Sequence, residues 1–320
     1  MTIREILAQG KALLETPSPS SRIDTAALDA TLLLSETLGK SREGLILHEN
    51  APVAAAQREQ YFRLLDRRRN GECIAYILGR REFRGLEFTV NPQVLVPRPD
   101  TETLVEAVLE YLSLEYLSQR REDHAKDAKD VRNSFAFSAP PLRLCESKIE
   151  TTISLLDLCT GSGALAISLK NECPYLSVTA SDISAAALET ARLNAERLLD
   201  GGLKAIEFIE SDLFENIPGK FDIIVSNPPY VPSGEIAALA PEVRREPPLA
   251  LDGGADGLEL IRKIVAQAVG HLSPGGAFLL EADPQQMAAI AGLLEAHGFG
   301  GISVRKDLAG RERVIFGLFQ

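Results

Sequence analysis

No stretch of this 320-residue chain approaches the ~20 consecutive apolar residues of a membrane-spanning helix. The opening Met1-Thr2-Ile3-Arg4-Glu5 lacks the apolar core of a secretion signal, so a cytoplasmic protein is expected. Cysteine is scarce. Cys73, Cys145, Cys159 and Cys173 show no Cys-x-x-Cys or other metal spacing and read as free thiols in a reducing compartment. His48, His124, His271 and His297 are scattered, with no His-Glu-x-x-His, so no metal is expected. Positive charge is also short. The net charge is −11 and the pI about 5.0, which argues against a partner gripped through phosphates. Arg67-Arg68-Arg69 and Arg80-Arg81 are the basic clusters of note, and both read as solvated faces. What is present is ordinary for a soluble globular protein: 45% hydrophobic and 25% charged residues. The length suits one large domain plus a small one.

The first part of the chain, 1–72, reads as a small helical domain. Ile3, Ile6, Leu7, Leu13 and Leu14 fall at helical spacing, and Pro17-Ser18-Pro19 ends that segment. A second helix covers 26–34, with Asp24 or Thr25 as its cap, and a third covers 57–69. These helices carry no chemistry of their own, so docking of a substrate is the expected role. Between 73 and 95 two strand-like runs, starting at Cys73-Ile74-Ala75-Tyr76-Ile77-Leu78, flank a polar centre and predict a β-hairpin linker. Val96-Pro97-Arg98-Pro99-Asp100-Thr101-Glu102 follows. Its prolines set an extended segment, and Asp100 or Thr101 is placed to cap the next helix. Capping does not explain Arg98 held between two prolines. Residues from about 113 to 150 are charge-dense and read as a solvated surface insert.

From Ile153 the pattern alternates strand and helix, which predicts an α/β fold with a doubly wound, mostly parallel sheet over 96–320. Ile302-Ser303-Val304 and Arg313-Val314-Ile315-Phe316-Gly317 close the chain as a strand pair. Within the alternation, Asp157-Leu158-Cys159-Thr160-Gly161-Ser162-Gly163 follows a buried strand and opens a helix. Its glycines let a ligand approach the backbone closely. Asp182 ends the next strand, about 20 residues on, where an acid can accept hydrogen bonds from a ribose. Dinucleotide enzymes and S-adenosylmethionine methyltransferases share this geometry. The third glycine of the dinucleotide pattern is missing and an acid precedes the turn, which favours the methyltransferase reading. Asp212, after the third strand, sits where an acid commonly meets an adenine amino group, although a helix cap explains it as well.

Phe221-Asp222-Ile223-Ile224-Val225-Ser226 is a short apolar strand that stops at Asn227-Pro228-Pro229-Tyr230. Neither proline can donate a ladder hydrogen bond, and Asn227 before a proline is biased to extended backbone. A stiff turn rich in acceptors is therefore expected at the carboxyl end of a buried strand, where open α/β sheets bind ligands. It suits a substrate presenting a planar NH2 group, with Tyr230 stacked on it. By itself the turn does not separate a nucleic-acid base from an amide.

Asp157 to Gly163, Asp182, Asp212 and Asn227-Pro228-Pro229-Tyr230, in this order, resemble a class I S-adenosylmethionine methyltransferase acting on a planar nitrogen. Val96-Pro97-Arg98-Pro99-Asp100-Thr101-Glu102, Glu246-Pro247-Pro248-Leu249-Ala250-Leu251-Asp252-Gly253-Gly254 and the helical N-terminal domain narrow the resemblance. Together they resemble the peptide chain release factor glutamine N5-methyltransferase family over 1–112 and 151–320. The resemblance implies a seven-stranded methyltransferase sheet and transfer of methyl from S-adenosylmethionine to the glutamine of the Gly-Gly-Gln motif in class 1 release factors. It implies cofactor contacts from Asp157, Cys159, Thr160, Gly161, Ser162, Gly163, Asp182, Asp212, Leu213 and Asn227. The catalytic turn would be Asn227, Pro228, Pro229 and Tyr230, with Arg98 and Glu246 shaping the substrate pocket. Cys159 stands where the family usually has glycine, and Leu213 where it often has an aromatic residue. A monomer without metal, membrane or nucleic acid suffices for this chemistry. The rival reading is a nucleic-acid amino methyltransferase acting on adenine N6 or guanine N2, which must flip its base. A non-catalytic nucleotide-binding module is a second rival, which the intact four-residue turn disfavours.

Overall fold

The computed structural model describes residues 1–16, 23–124 and 152–320. Pro17-Ser18-Pro19, Cys145 and the insert beyond His124 lie outside the described residues. The chain divides into two compact units. One comprises Met1–Arg81, Thr89–Val96 and Gly234–Leu251, and the other Glu82–Phe88, Pro97–Ser233 and Asp252–Gln320.

The first unit is helical: α1 (Ile3–Glu15), α2 (Ala26–Leu38), α3 (Arg42–Leu47), α4 (Ala55–Arg69) and α5 (Ile74–Leu78). Thr2 and Glu5 cap α1 reciprocally, each side chain accepting from the other's backbone N–H. The buried stripe Ile3, Ile6, Gly10 and Leu14 then faces the core. A Cβ on Gly10 would stand 2.0 Å from the Tyr61 hydroxyl, so glycine is what lets α1 close on α4. Tyr61 is fully buried, and its hydroxyl donates to the Ala30 carbonyl at 3.1 Å.

Several expectations change here. Thr25 holds the cap position of α2 without a side-chain hydrogen bond. The short α3, capped by Ser41, was not foreseen. The Arg67-Arg68-Arg69 run is not simply a solvated face. Arg68 is buried and pairs with Asp29 at 2.6 Å and Glu242 at 2.5 Å, because two carboxylates supply the partners its burial requires. The first strand-like run is also a helix: Ile74–Leu78 turns once and stops at Gly79 in the left-handed region. Five apolar residues carry too little period to separate strand from helix. The hairpin itself is shorter, β1 (Arg80–Phe83) and β2 (Leu86–Thr89), reversing at Arg84 and Gly85, both at positive φ.

In the second unit a 3-10 turn (Pro99–Thr101) leads into α6 (Glu102–His124). Asp100 and Thr101, expected to cap α6, both have partners far away in sequence. Asp100 binds Arg311 and Arg313 at 2.8 and 3.1 Å, and the Thr101 hydroxyl is held by Asn227. Then come β3 (Ser154–Leu158), α7 (Ala164–Glu172), β4 (Ser177–Asp182), α8 (Ala185–Leu198), β5 (Ile206–Glu210), β6 (Phe221–Ser226), α9 (Glu259–His271), β7 (Leu272–Glu281), α10 (Met287–Ala296), β8 (Phe299–Lys306) and β9 (Glu312–Phe319). Among the described residues they form a seven-stranded sheet of order β5-β4-β3-β6-β7-β9-β8, parallel except where β9 joins β7 and β8. This is the doubly wound sheet expected. Neighbouring strand residues enter different cores. Leu155, Ile223 and Leu279 pack in one, Leu156, Ile224 and Leu280 in the other. Burial on both faces explains why the strands read as continuous apolar runs.

Candidate active site

The strand order reverses between β3 and β6, and Leu158 of β3 lies in register with Ser226 of β6. The Ser226 hydroxyl donates to the Leu158 carbonyl at 2.9 Å, tying the two carboxyl ends together. The glycine-bearing turn and the double-proline turn therefore leave the sheet side by side, at the topological switch point.

The turn after β3 is organised by Asp157, which is fully buried. One carboxylate oxygen accepts from the Thr160 hydroxyl at 2.6 Å and the Ala166 N–H at 3.2 Å, and the other oxygen, Oδ1, has no partner among the described residues. Burial pushes this carboxyl up to about 7, against the pull of those two hydrogen bonds. Cys159 sits at φ 60, the left-handed conformation that favours glycine. Its thiol is pushed well up, by burial and then by Asp182 and Asp157, so it does not supply a thiolate. Gly161 is at φ 55, and its N–H donates to Asp182 at 2.9 Å. Gly163 is there for packing: a Cβ would stand 2.8 Å from Ile167 and 3.2 Å from Ala191. Ser162 is buried, its carbonyl accepting from Asn194. Asp182 also accepts from the Ser184 N–H, and burial raises its pKa despite these bonds. Asp212 is exposed and close enough to raise the Cys159 thiol. No helix follows it to be capped. Leu213 is buried at φ 50, its carbonyl accepting from Ser211.

Beyond β6, Asn227 and Tyr230 are half-buried while Pro228 and Pro229 are buried. The Asn227 side-chain NH2 donates to the Thr101 hydroxyl at 3.1 Å. Thr101 and Asn227 both lie close enough to the Glu281 carboxyl, which ends β7, to favour its charged form. The register explains this, since Ser226 pairs with Leu280 and so Asn227 follows beside Glu281. Glu281 is 1% exposed, its Oε2 has no partner among the described residues, and burial pushes its carboxyl up to about 7. The Tyr230 carbonyl accepts from the Gln286 side chain at 2.9 Å, and Gly253 and Gly257 are pressed against its backbone. Burial and then Glu281 push the Tyr230 hydroxyl up, while Arg313 and Arg98 pull the other way. Arg98 is near enough to act electrostatically on that hydroxyl. Glu246 belongs to the other unit, where it is buried and accepts from the Val96 N–H at 3.2 Å.

Glu281, Thr101 and Gln286 were missed as site residues. Glu281 carried a usable signal, an acid closing an apolar strand, which is the feature that singled out Asp182. Thr101 and Gln286 carried none, because what matters is where a distant loop or helix returns to the turn.

Two family models match the chain, the PrmC N-terminal domain over residues 5–79 and the methyltransferase small domain over residues 142–243. Among curated proteins, the release factor glutamine methyltransferase of Burkholderia pseudomallei is 40% identical over 309 residues, 93% of this chain and 95% of the relative. That of Agrobacterium fabrum is 37% identical, covering 90% of this chain and 89% of the relative. That of Deinococcus radiodurans is 35% identical, covering 98% of both.

Proposed function

The chain belongs to the release factor glutamine methyltransferase family, and on that premise we propose that it moves a methyl group from S-adenosylmethionine to the side-chain nitrogen, N5, of the Gly-Gly-Gln glutamine in class 1 release factors. The observation that carries the reading is the placement of Asn227-Pro228-Pro229-Tyr230 beside the Cys159-to-Gly163 turn at the switch point.

The residues present fit the cofactor. An amino-acid ammonium has N–H donors to offer, and Asp157 Oδ1 is a buried acceptor without one. Gly161 has open space where a Cβ would stand, so the backbone can be approached there. The Cys159-to-Gly163 turn would hold the cofactor with Asp182 toward its ribose and Asp212 toward its adenine. When bound, that group supplies a methyl on a sulfonium, which is strongly electrophilic.

The chain's own task is to aim a poor nucleophile. A carboxamide nitrogen has its lone pair delocalised, but it presents two N–H groups. The Asn227 oxygen and the Pro228 carbonyl accept them, which orients the nitrogen and stabilises positive charge growing on it. Tyr230 packs on the amide plane beside Pro229. Arg98, near enough to act on the Tyr230 hydroxyl, bounds the pocket. Glu246 holds the Val96 backbone within its own unit. No base is needed beforehand, since the nitrogen proton becomes acidic only as the new bond forms. The helices of 1–72 dock the release factor.

The test is incubation with purified release factor, or with DNA or RNA, and labelled cofactor, followed by mapping of the modified residue. A single added methyl on the Gly-Gly-Gln glutamine is expected. Label in nucleic acid instead, or elsewhere on the release factor, overturns the reading.

A further inference from the structure

Asn227 can accept an N–H only if its oxygen faces the substrate. A carboxamide is nearly symmetric in shape, so packing does not choose between O and NH2. The polarity of its hydrogen bonds does. The Thr101 hydroxyl, 3.1 Å from the Asn227 nitrogen, is not enough, because a hydroxyl donates or accepts equally well. Its direction depends on where its own proton goes. An ionised carboxylate, the form Glu281 takes above about pH 7, can only accept, and the register of β6 on β7 sets the Glu281 carboxyl beside Asn227, within reach of Thr101.

From this geometry we infer that Glu281 and Thr101 are positioning residues that set the polarity of the Asn227 side chain. The Thr101 hydroxyl donates to Glu281 and therefore accepts from the Asn227 NH2. Glu281 takes a hydrogen bond from Asn227 as well. Both links occupy the nitrogen end, and the oxygen end is left without a hydrogen bond among the described residues. The arrangement has a cost that a merely structural residue would not carry. Glu281 lies at the carboxyl end of the interior strand β7, 1% exposed, with Oε2 unpaired among the described residues, and burial disfavours its charge. The charged groups around it are Arg313 on β9, which favours ionisation, Asp100 before α6, which opposes it, and the Tyr230 hydroxyl. A methionine or leucine would fill this place without that penalty but would leave the relay without a terminal acceptor.

This inference rests on the reading of Asn227 as the orienting acceptor, and the test separates the two. The full-length protein is assayed with release factor, giving kcat, KM and cofactor affinity, with thermal melting as a control. Glu281→Gln replaces the acceptor by a group that also donates, so the relay can run backward. Its kcat is expected to fall about 10- to 100-fold, the worth of a charged hydrogen bond, with KM and cofactor affinity within about threefold of wild type. Thr101→Val keeps the shape without the hydroxyl and should lose about tenfold in kcat, while Thr101→Ser should stay within about threefold of wild type. If Glu281→Gln fails to fold, the Thr101 pair decides. Wild-type kcat in Glu281→Gln and Thr101→Val alongside an inactive Asn227→Ala overturns the relay and leaves the parent reading standing. So does a Thr101→Ser loss equal to that of Thr101→Val, or a loss confined to KM or cofactor affinity. An active Asn227→Ala overturns the parent reading itself.

Discussion

The two turns that leave the sheet side by side are built on opposite principles. The turn after β3 is shaped from within. Left-handed residues at Cys159, Gly161 and Gly163 bend it, and one buried carboxylate, Asp157, staples its start to the first turn of α7. The turn after β6 is stiffened by two prolines but aimed from outside. Thr101 comes from the segment before α6, Glu281 from the end of β7, and Gln286 from the 3-10 turn before α10. A backbone cradle accepts a ligand by leaving room and exposing N–H groups. A side chain that must present one particular atom needs partners whose polarity is set, and partners of that kind come from elsewhere in the fold.

The largest effect should be a double dissociation between the turns. Asn227→Ala is expected to lower kcat at least about 100-fold, as loss of one preorganised polar contact commonly does, with cofactor affinity changed less than about threefold. Asp182→Ala should do the reverse: cofactor affinity falls about tenfold or more, and turnover persists at saturating cofactor. Equal loss of both properties in both variants would erase the distinction. Next in size is Gly163→Ala. Its Cβ meets Ile167 at 2.8 Å with the backbone at φ 80, so unfolding free energy in urea should drop by about 1–3 kcal/mol. An unchanged midpoint would show that the helix shifts freely.

A smaller effect distinguishes the buried carboxylate. Asp157 is raised from 3.8 to about 7, so between those values the folded state binds more protons than the unfolded one. Its contribution is full below 3.8 and is lost as pH rises through 7. Glu281 acts in the same direction. Asp157→Asn should therefore lose less stability than wild type between about pH 4 and about pH 7 in urea titrations. Identical pH slopes would mean that Asp157 titrates normally. The smallest effect is expected for Cys159→Gly. Relief of the left-handed backbone at φ 60, less the added freedom of the unfolded chain, should raise stability by no more than about 1 kcal/mol. A loss of that size instead would show that packing of the sulfur outweighs backbone strain.

Much of the second unit was legible in advance. The strands were found within a few residues because burial on both faces leaves unbroken apolar runs, and glycines and prolines mark their ends. Helix α3 was not legible, since six residues cannot show a period. The run at Ile74–Leu78 was misread for the same reason. Asp100 looked like a cap because acids before helices usually are, yet two arginines from the far end of the chain engage it. Arg68 looked solvated in a basic run, and partners from α2 and the 234–251 segment bury it.

By itself the sequence determined the alternation of strand and helix, the two turns at the carboxyl ends of β3 and β6, and membership of a family. Each of these is written in contiguous residues, where period, glycine and proline act over short range. Only the tertiary structure decided that Glu281 stands beside Asn227, that Thr101 reaches both, and that Asp157 keeps one oxygen unpaired. Those outcomes depend on which strands become neighbours and in which register. A hydrogen bond acquires its direction only when both partners are in place, and the partners of Asn227 lie 126 residues before it and at the end of a neighbouring strand.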